Sequence, residues 1–307
     1  MQPGGDKIMH VLIFSVCRFF QLLPERLAIG IGLFLGWFLR YVLRHRYAIV
    51  MNQLQVAYGR SKSSAELRRI ANGLYRHMGL LIVESLRLPC LACGKLDGRF
   101  EFEGTEHLDA ALKRGKGVFL LTGHIGNWEL GGKALAERGY EVYAIYKELK
   151  TPAGEAFRKM VREEIGVHSI PRHNSTKQIL SVLRKNGIIV FILDQNMTAK
   201  EGTFVDFFGV PACTMAGLAI LAERTGAAVI PACSYRAPDL RHHHGTMLPA
   251  IDLEKVSEDK QENANHNTGR FTKFIEDFIN RQPDQWIWIH KRWKTRPVGE
   301  TASPFIY

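Results

Sequence analysis

From Arg99 onward, short apolar runs alternate with longer stretches of helical periodicity, and this alternation limits the fold more than any other feature. It is typical of an α/β domain whose central sheet, largely parallel or mixed, is flanked by helices. The predicted strands are Arg99–Glu103, Val118–Leu121, Val142–Ile145, Ile188–Leu193 and Ala227–Tyr235. The predicted helices lie near Trp128–Arg138, Gly154–Ile165, Thr176–Lys185, Met215–Thr225 and Asn267–Asn280.

The first 46 residues are apolar but interrupted. Val11–Phe20 is apolar apart from Ser15 and Arg18, and Leu27–Leu39 is a run of 13 uncharged residues. As a helix the second run covers about 20 Å, whereas a bilayer core is about 30 Å thick. The pattern predicts a membrane-anchoring region, either a short tilted span or helices lying in one leaflet. The alternative is a helical hairpin buried on the globular domain.

Three basic residues, Arg40, Arg44 and Arg46, follow this apolar region directly. The positive-inside rule then places the rest of the chain on the cytoplasmic side of a membrane, with Arg40 able to reach the interface. Gly32 and Gly36 match a small-xxx-small helix contact.

The remaining chain, 47–307, is predicted to form the α/β domain, helical over 47–95 and built around the sheet over 96–307. Ser64 is the predicted N-cap of a long helix, which is expected to end at Pro89.

The chain carries 41 Lys and Arg against 30 Asp and Glu, a net charge of +11, which suits an acidic partner or an anionic membrane. Like charges form no block of five, and zinc-finger and ribonucleoprotein motifs are absent from the sequence, so a nucleic-acid partner is not expected. Cys90 and Cys93 form one isolated Cys-x-x-Cys pair, which is typical of structural thiols and not of a metal site. His242–His244 is expected to be a solvated loop, and neither a metal nor a cofactor is predicted.

Gly123-His124-Ile125-Gly126-Asn127-Trp128-Glu129 follows a buried strand and leads into a helix. His124 can remove a proton from a hydroxyl group, and Glu129 can hold the imidazole in one tautomer. The alternative is a histidine that only hydrogen-bonds its own turn. A Gly-x-Ser-x-Gly elbow, a P-loop and a Rossmann glycine fingerprint are absent from the sequence, so His124 would activate the acceptor itself, without an acyl-enzyme.

Asp194, Gln195 and Asn196 follow a second buried strand and are a further site candidate; the alternative is a turn with an Asx hydrogen bond.

Thr203–Gly209 is apolar enough to border an acyl channel, or it is ordinary core. Trp286, Trp288 and Trp293, interleaved with cations, suit a membrane-interface or phosphate-facing segment, or else a final strand packed on the sheet. The cations considered for phosphate are Lys147, Arg158 and Arg172.

Taken in order, these segments resemble the bacterial lipid A biosynthesis acyltransferases of the lauroyl and myristoyl type, within the lysophospholipid acyltransferase superfamily. The likeness is carried by the His124 motif, Tyr146-Lys147, Asp194-Gln195, Phe207–Ala212 and Trp288–Lys294.

The resemblance implies transfer of a fatty acyl chain from acyl carrier protein, or from coenzyme A, to a hydroxyl of a lipid A precursor. It implies His124 as the base, Glu129 as its partner, and a place on the cytoplasmic face of the bacterial inner membrane. Asn127, Lys147, Arg158, Arg172, Asp194 and Gln195 are the expected substrate contacts. Another glycolipid, a lysophospholipid or an aminolipid remains an alternative acceptor, and a non-enzymatic membrane-binding protein is the alternative of a different class.

Overall fold

The computed structural model describes residues 14–92, 96, 98–146, 151, 154–155, 165–173 and 175–300, and no side chains over 89–92. Lys147, Arg158, Cys93 and most of the predicted helix Gly154–Ile165 lie outside the described residues, as does the side chain of Cys90.

The N-terminal region contains helix α1 (14–22), α2 (Glu25–Trp37) with a π-helical turn over Phe38–Val42, α3 (Tyr47–Tyr58) and α4 (Ser64–Ala92). Helix α2 crosses α4 at Gly32 and Gly36, as the small-xxx-small pattern indicated. A Cβ atom at Gly36 would overlap the carbonyl oxygen of Tyr75, so the two backbones meet directly.

Across the described chain, each helix taken alone is too short or too polar to cross a bilayer. Glu25–Val42 and Tyr47–Tyr58, joined at a 90° bend, reach the required length and apolar composition together. Arg40 does not extend outward as expected, because its Nε donates to Asn72 at 3.0 Å and its guanidinium lies over the Tyr47 ring.

Two details of helix α4 differ from expectation. Ser63, not Ser64, is the cap, since its Oγ accepts from the Glu66 backbone N–H at 3.3 Å while Glu66 Oε2 accepts from the Ser63 N–H at 2.8 Å. The helix also continues through Pro89 to Ala92. The packing of α4 on α2 and α6 outweighs the one backbone hydrogen bond that a proline removes.

Seven strands form the central sheet, in the order β1-β9-β8-β2-β5-β3-β4. Strands β8, β2, β5, β3 and β4 are parallel, and β9 is antiparallel to β8. The strands are β1 (Phe100–Glu103), β2 (Val118–Thr122), β3 (Val142–Tyr146), β4 (Val167–Pro171), β5 (Ile188–Ile192), β8 (Ala228–Arg236) and β9 (His243–Met247). The predicted α/β class with a largely parallel, mixed sheet is confirmed.

Helices cover both faces of this sheet. In β2, Phe119 and Leu121 belong to one buried cluster and Val118 and Leu120 to another, so successive side chains enter different cores. The helices are α5 (Thr105–Leu112), α6 (Trp128–Glu137), α7 (Thr176–Arg184), α8 (Gly217–Thr225) and α9 (Lys260–Arg281).

Several elements were not predicted. Strands β4 and β9 belong to the sheet, and β6 (Thr203–Phe207) and β7 (Val210–Thr214) form an antiparallel hairpin beside α9. His243 lies in β9 and is buried, so the solvated loop expected for His242–His244 is wrong at this residue. Helix α9 begins at Lys260, seven residues before the predicted start, because Asp259 caps it by accepting from the Gln261 N–H at 2.8 Å.

Candidate functional site

His124 and Asp194 meet at one edge of the sheet. Strands β2 and β5 are adjacent and parallel, with Thr122 opposite Ile192, so residues just beyond the two carboxyl ends face each other. The Nδ1 atom of His124 lies 2.8 Å from Asp194 Oδ1, and the His124 backbone N–H donates to Asp194 Oδ2 at 2.6 Å. One carboxylate thus holds both the ring and the backbone of the histidine.

The turn that carries His124 depends on glycine. Gly126 has a φ of +59°, and a Cβ there would overlap the Ser234 carbonyl oxygen. Its N–H donates to the Gln285 carbonyl at 3.0 Å, and the Ile287 N–H donates to the His124 carbonyl at 3.2 Å. A segment far along the chain therefore completes the turn.

Trp286 extends this segment into the site. Its indole Nε1–H donates to Asp194 Oδ2 at 2.6 Å, and both side chains are wholly buried. Burial alone would raise the pKa of Asp194, but the charge and hydrogen bond of His124, the nearby His290 and the bond from Trp286 together hold that pKa well below its usual range. Asp194 is therefore a carboxylate at neutral pH.

The imidazole responds to this anion. Burial alone would lower the pKa of His124, but the charge and hydrogen bond of Asp194, helped by the charge of Glu129, hold it above its ordinary value. Because an ionised carboxylate can only accept, Nδ1 carries the proton and Nε2 of the neutral ring has a free lone pair. The arrangement can take a proton from a hydroxyl group.

Two aromatic rings fix the plane of the imidazole. Trp128 contacts His124 edge to face, with ring centroids 4.9 Å apart, and the His290 centroid lies 5.2 Å from that of His124. Burial lowers the pKa of His290, and the neighbouring His124 and Arg46 add to this effect against the charge of Asp194. His290 is therefore neutral beside a His124 that is more readily protonated.

A cavity of about 500 Å³ opens beside His124. Gln195 lies at the histidine, with 3.4 Å between the two Nε2 atoms, and Arg172 lines the same space. Most of the remaining lining is apolar: Trp128, Ile145, Ile179, Phe191, Leu193, Met197, Met215 and Leu221. A base at one end and an apolar wall beyond it suit a substrate with a reactive polar group and a hydrocarbon chain.

A second, more open cavity of about 580 Å³ adjoins the first. Arg172, Met197 and Met215 line both cavities, and Lys200, Gln261 and Asn265 line the second. Arg172 therefore lies at the junction of the two cavities.

The structure separates the residues predicted for this site. Gln195 and Arg172 line the cavity as expected. Asp194 is wholly buried behind the imidazole, so it contacts His124 and not substrate. Asn127 is 1% exposed, and its amide caps α6 through Leu130 and donates to Glu84, so the expected substrate contact does not fit.

Glu129 stands in the first turn of α6 and acts on His124 through its charge. The carboxylate that bonds Nδ1 is Asp194, so the expectation that Glu129 orients the ring differs from the observed geometry. The two strand ends were recognised separately from the sequence. Their pairing depends on the strand order, which the sequence pattern does not contain.

The two apolar segments singled out in the sequence belong to the core. Thr203–Gly209 is absent from the described lining of the 500 Å³ cavity, and Phe207 is wholly buried against Trp286 and Trp293. Trp286, Trp288 and Trp293 are likewise buried, so the prediction that they form a membrane-interface segment is wrong. They lie in turns, with a single bridge from Ile125 to Trp286 in place of a final strand.

The chain is similar in sequence to several acyltransferases of known function. The palmitoleoyltransferase of lipid A biosynthesis from Escherichia coli is 27% identical over 91% of this chain and 89% of its own length. The lauroyltransferase of the same organism is 23% identical over 90% and 88%. A phosphatidylinositol mannoside acyltransferase of Mycobacterium tuberculosis is 32% identical over 48% of each chain.

The sequence profile of one family, described as bacterial lipid A biosynthesis acyltransferase, matches residues 7–295. The match covers nearly all of the chain, including His124, Asp194 and Trp286. The chain is thus an acyltransferase and belongs to the bacterial lipid A biosynthesis acyltransferase family.

Proposed function

We propose that this protein transfers a fatty acyl chain from acyl carrier protein to a hydroxyl group of a lipid A precursor, with His124 as the general base. The observation that carries the proposal is that His124, bonded to the buried Asp194, lines a largely apolar cavity of about 500 Å³. Membership of the lipid A acyltransferase family supports the acceptor.

In the proposed reaction the acceptor hydroxyl gives its proton to Nε2 of His124 as its oxygen attacks the thioester carbonyl. A C–O bond forms and the C–S bond breaks. The imidazolium then returns the proton to the leaving thiolate, so an acyl-enzyme is not needed. Asp194 stabilises the imidazolium, as the buried carboxylate of a catalytic triad does. Glu129 adds negative charge from the first turn of α6.

The proposed partners follow from charge. Acyl carrier protein is acidic and the lipid acceptor is anionic, and the chain carries a net charge of +11. Arg172, at the junction of the two cavities, is the described cation best placed to face a phosphate of the acceptor. Lys147 and Arg158 stay proposed contacts outside the described residues.

The N-terminal helices would dock the protein on the cytoplasmic face of the inner membrane. Phe34 and Trp37 are 59% and 51% exposed, and Leu27, Tyr41, Val42 and Leu43 are at least 50% exposed. A helix that presents such residues while its other face packs on α4 suits attachment within one leaflet.

The test is transfer of a labelled acyl group from acyl carrier protein to a lipid A precursor by wild type, His124→Ala, Asp194→Asn and Glu129→Gln. We expect kcat to fall about 10²–10⁴-fold for the first two, because base catalysis is worth that much. Glu129→Gln should lose less, because its charge raises the pKa of His124 less than the charge and hydrogen bond of Asp194 do. His242→Ala is the matched control, because His242 forms an exposed His–Asp pair with Asp239 outside the cavity.

The pH profile adds a second readout. The pKa of His124 lies above its ordinary value of about 6.5, and a base must be neutral, so transfer should rise with pH through that pKa. Asp194→Asn removes the anion that raises the pKa, so the acid limb should move to lower pH. Full activity in His124→Ala would refute the mechanism. Wild-type transfer to a total lipid extract but not to a lipid A precursor would point to another glycolipid.

A further inference from the structure

A buried ion pair lies behind the turn that carries His124. Glu84, on α4, contacts Arg236, the last residue of β8, through both carboxylate oxygens, and the Nη2–Oε2 distance is 2.6 Å. The Arg236 side chain is 3% exposed and that of Glu84 is 17% exposed. Replacing such a pair by apolar residues often leaves stability unchanged or higher, so an ion pair kept here calls for another explanation.

The pair is tied to the His124 turn through Asn127. The Asn127 Nδ2 atom donates to Glu84 Oε2 at 2.7 Å, while its Oδ1 accepts from the Leu130 N–H at 3.1 Å. Within the same turn, the Gly126 carbonyl lies 3.2 Å from His77 Nε2. Asn127, three residues after His124 in the sequence, therefore connects the start of α6 to the Glu84 carboxylate.

The charges around this tie are well defined. Burial would raise the pKa of Glu84, but the hydrogen bonds and charges of Arg236 and His243 hold it well below its usual range. Burial and the charge of Arg236 lower the pKa of His77 to about 3, so His77 is neutral. The ionised Glu84 carboxylate thus accepts the hydrogen bond from the Asn127 amide, and a bond to a charged acceptor is stronger than one between neutral groups.

We propose that Glu84 is a positioning residue for His124: fixed by Arg236, it holds Asn127 and through it the turn that presents the imidazole to Asp194. This inference rests on the proposed function, in which His124 is the base. Without the tie the turn relaxes, and both contacts between His124 and Asp194 lengthen. The imidazole then loses its orientation and part of the raised pKa that Asp194 gives it.

The groups facing His124 fix the sign of this pKa change. Asp194 and Glu129 both raise the pKa, from the end of β5 and from α6. His290 faces the ring from the C-terminal segment, with Arg46 beside His290, and Arg172 lines the cavity in front of it. Loosening the turn weakens chiefly the Asp194 contact, so the pKa of His124 should fall.

The first variant is Asn127→Ser, which removes the amide donor to Glu84 but keeps an oxygen that can cap α6. We expect kcat to fall about tenfold or more with KM within about twofold of wild type. The pKa of His124, read by NMR of histidine-labelled enzyme and assigned with His124→Gln, should fall as well.

The matched control is Ser63→Ala, which removes the cap at the start of α4, at the opposite end of that helix from Glu84. It should lower stability about as much as loss of a cap does, without a change in kcat or in the pKa of His124.

The second variant is Glu84→Leu with Arg236→Met. Glu84→Ala alone is unsuitable, because Arg236 would remain as a buried cation without its carboxylate. The double variant removes both charges but also takes the acceptor from the Asn127 amide and from His243, so its stability should fall less than that of Glu84→Ala, while kcat and the pKa of His124 fall as in Asn127→Ser. Adding Asn127→Ser to it should bring little further loss, because both changes remove the same tie.

The outcomes are distinct. Wild-type kcat and an unchanged pKa of His124 in folded Asn127→Ser would overturn the positioning role. The NMR titration needs no substrate, so a fall in that pKa would support positioning even if wild type transferred acyl chains to none of the acceptors tried. In that case the proposed function fails and the positioning of His124 does not.

Discussion

Two segments of this protein look alike in sequence and differ in burial. Gln285–Trp293 and Phe34–Val42 both combine aromatic and basic residues. Trp286, Trp288 and Trp293 have no exposed surface, whereas Phe34 and Trp37 are more than half exposed.

The difference lies in the partners. In the C-terminal segment two indole N–H groups donate to acceptors within the fold, Trp286 to the buried Asp194 carboxylate and Trp288 to the Pro283 carbonyl. On α2 the aromatic rings contact each other along one side of the helix, with Phe34 and Trp37 centroids 5.7 Å apart, while the glycine face packs on α4. An aromatic and basic pattern in the sequence therefore does not by itself distinguish a buried indole from an exposed one.

The largest expected effect comes from truncating a buried tryptophan. Trp288→Ala should lower the free energy of unfolding by about 3–5 kcal/mol, because it leaves a large cavity beside Trp286. The same truncation at Trp37 should change it by less than about 1 kcal/mol. Denaturant titration of both variants in detergent measures the contrast, and equal losses would contradict it.

A smaller effect is expected where α2 meets α4. Gly36→Ala should cost about 1–3 kcal/mol, since the added methyl group overlaps the Tyr75 carbonyl and pushes the helices apart. Gly30→Ala on the same helix meets nothing within 4 Å and should stabilise by about 0.5–1 kcal/mol. Thermal unfolding of the two variants should shift in opposite directions, and a stabilised Gly36→Ala would refute the close contact.

The smallest effect is on membrane binding. Phe34→Ser with Trp37→Ser should weaken binding to phosphatidylethanolamine–phosphatidylglycerol vesicles about tenfold, or about 1.4 kcal/mol. Val256→Ser, an exposed apolar residue outside the N-terminal helices, is the control and should bind as wild type does. Unchanged flotation of the first variant with vesicles would remove the proposed docking face.

Local sequence patterns predicted the features of the fold that depend on neighbouring residues, such as buried strands and helix caps. Strands β2 and β5 were predicted within a residue, because buried parallel strands are continuous apolar runs. Strand β9 was missed because it begins His243-His244-Gly245, which is not an apolar run; in the fold it pairs with β8, and His243 Nε2 lies 3.3 Å from Glu84 Oε1. The capping of α4 by Ser63 was readable from Glu66 three residues later.

The candidate site was likewise predictable only where neighbouring residues in the sequence define it. His124 stands in a turn whose glycines reveal it, but its partner Asp194 is 70 residues away and adjacent only through the strand order. Glu129 lies nearer along the chain, but the carboxylate bonded to His124 Nδ1 is that of Asp194, and a catalytic role for Glu129 stays a prediction. Trp286 offered only an aromatic pattern, which does not distinguish a hydrogen-bond donor to a carboxylate from a membrane anchor.

Residues 285–292, which complete the His124 turn, are also among the last that the ribosome adds to the chain. The ribosome makes α2, His124 and Asp194 before Trp286, which follows Asp194 by 92 residues, and before Arg292, whose backbone N–H donates to Gln53 from 239 residues away. Until these residues emerge, Asp194 lacks its indole donor and the His124 turn lacks the Gln285 carbonyl. The surroundings of His124 are therefore complete only once the chain has been made past this segment.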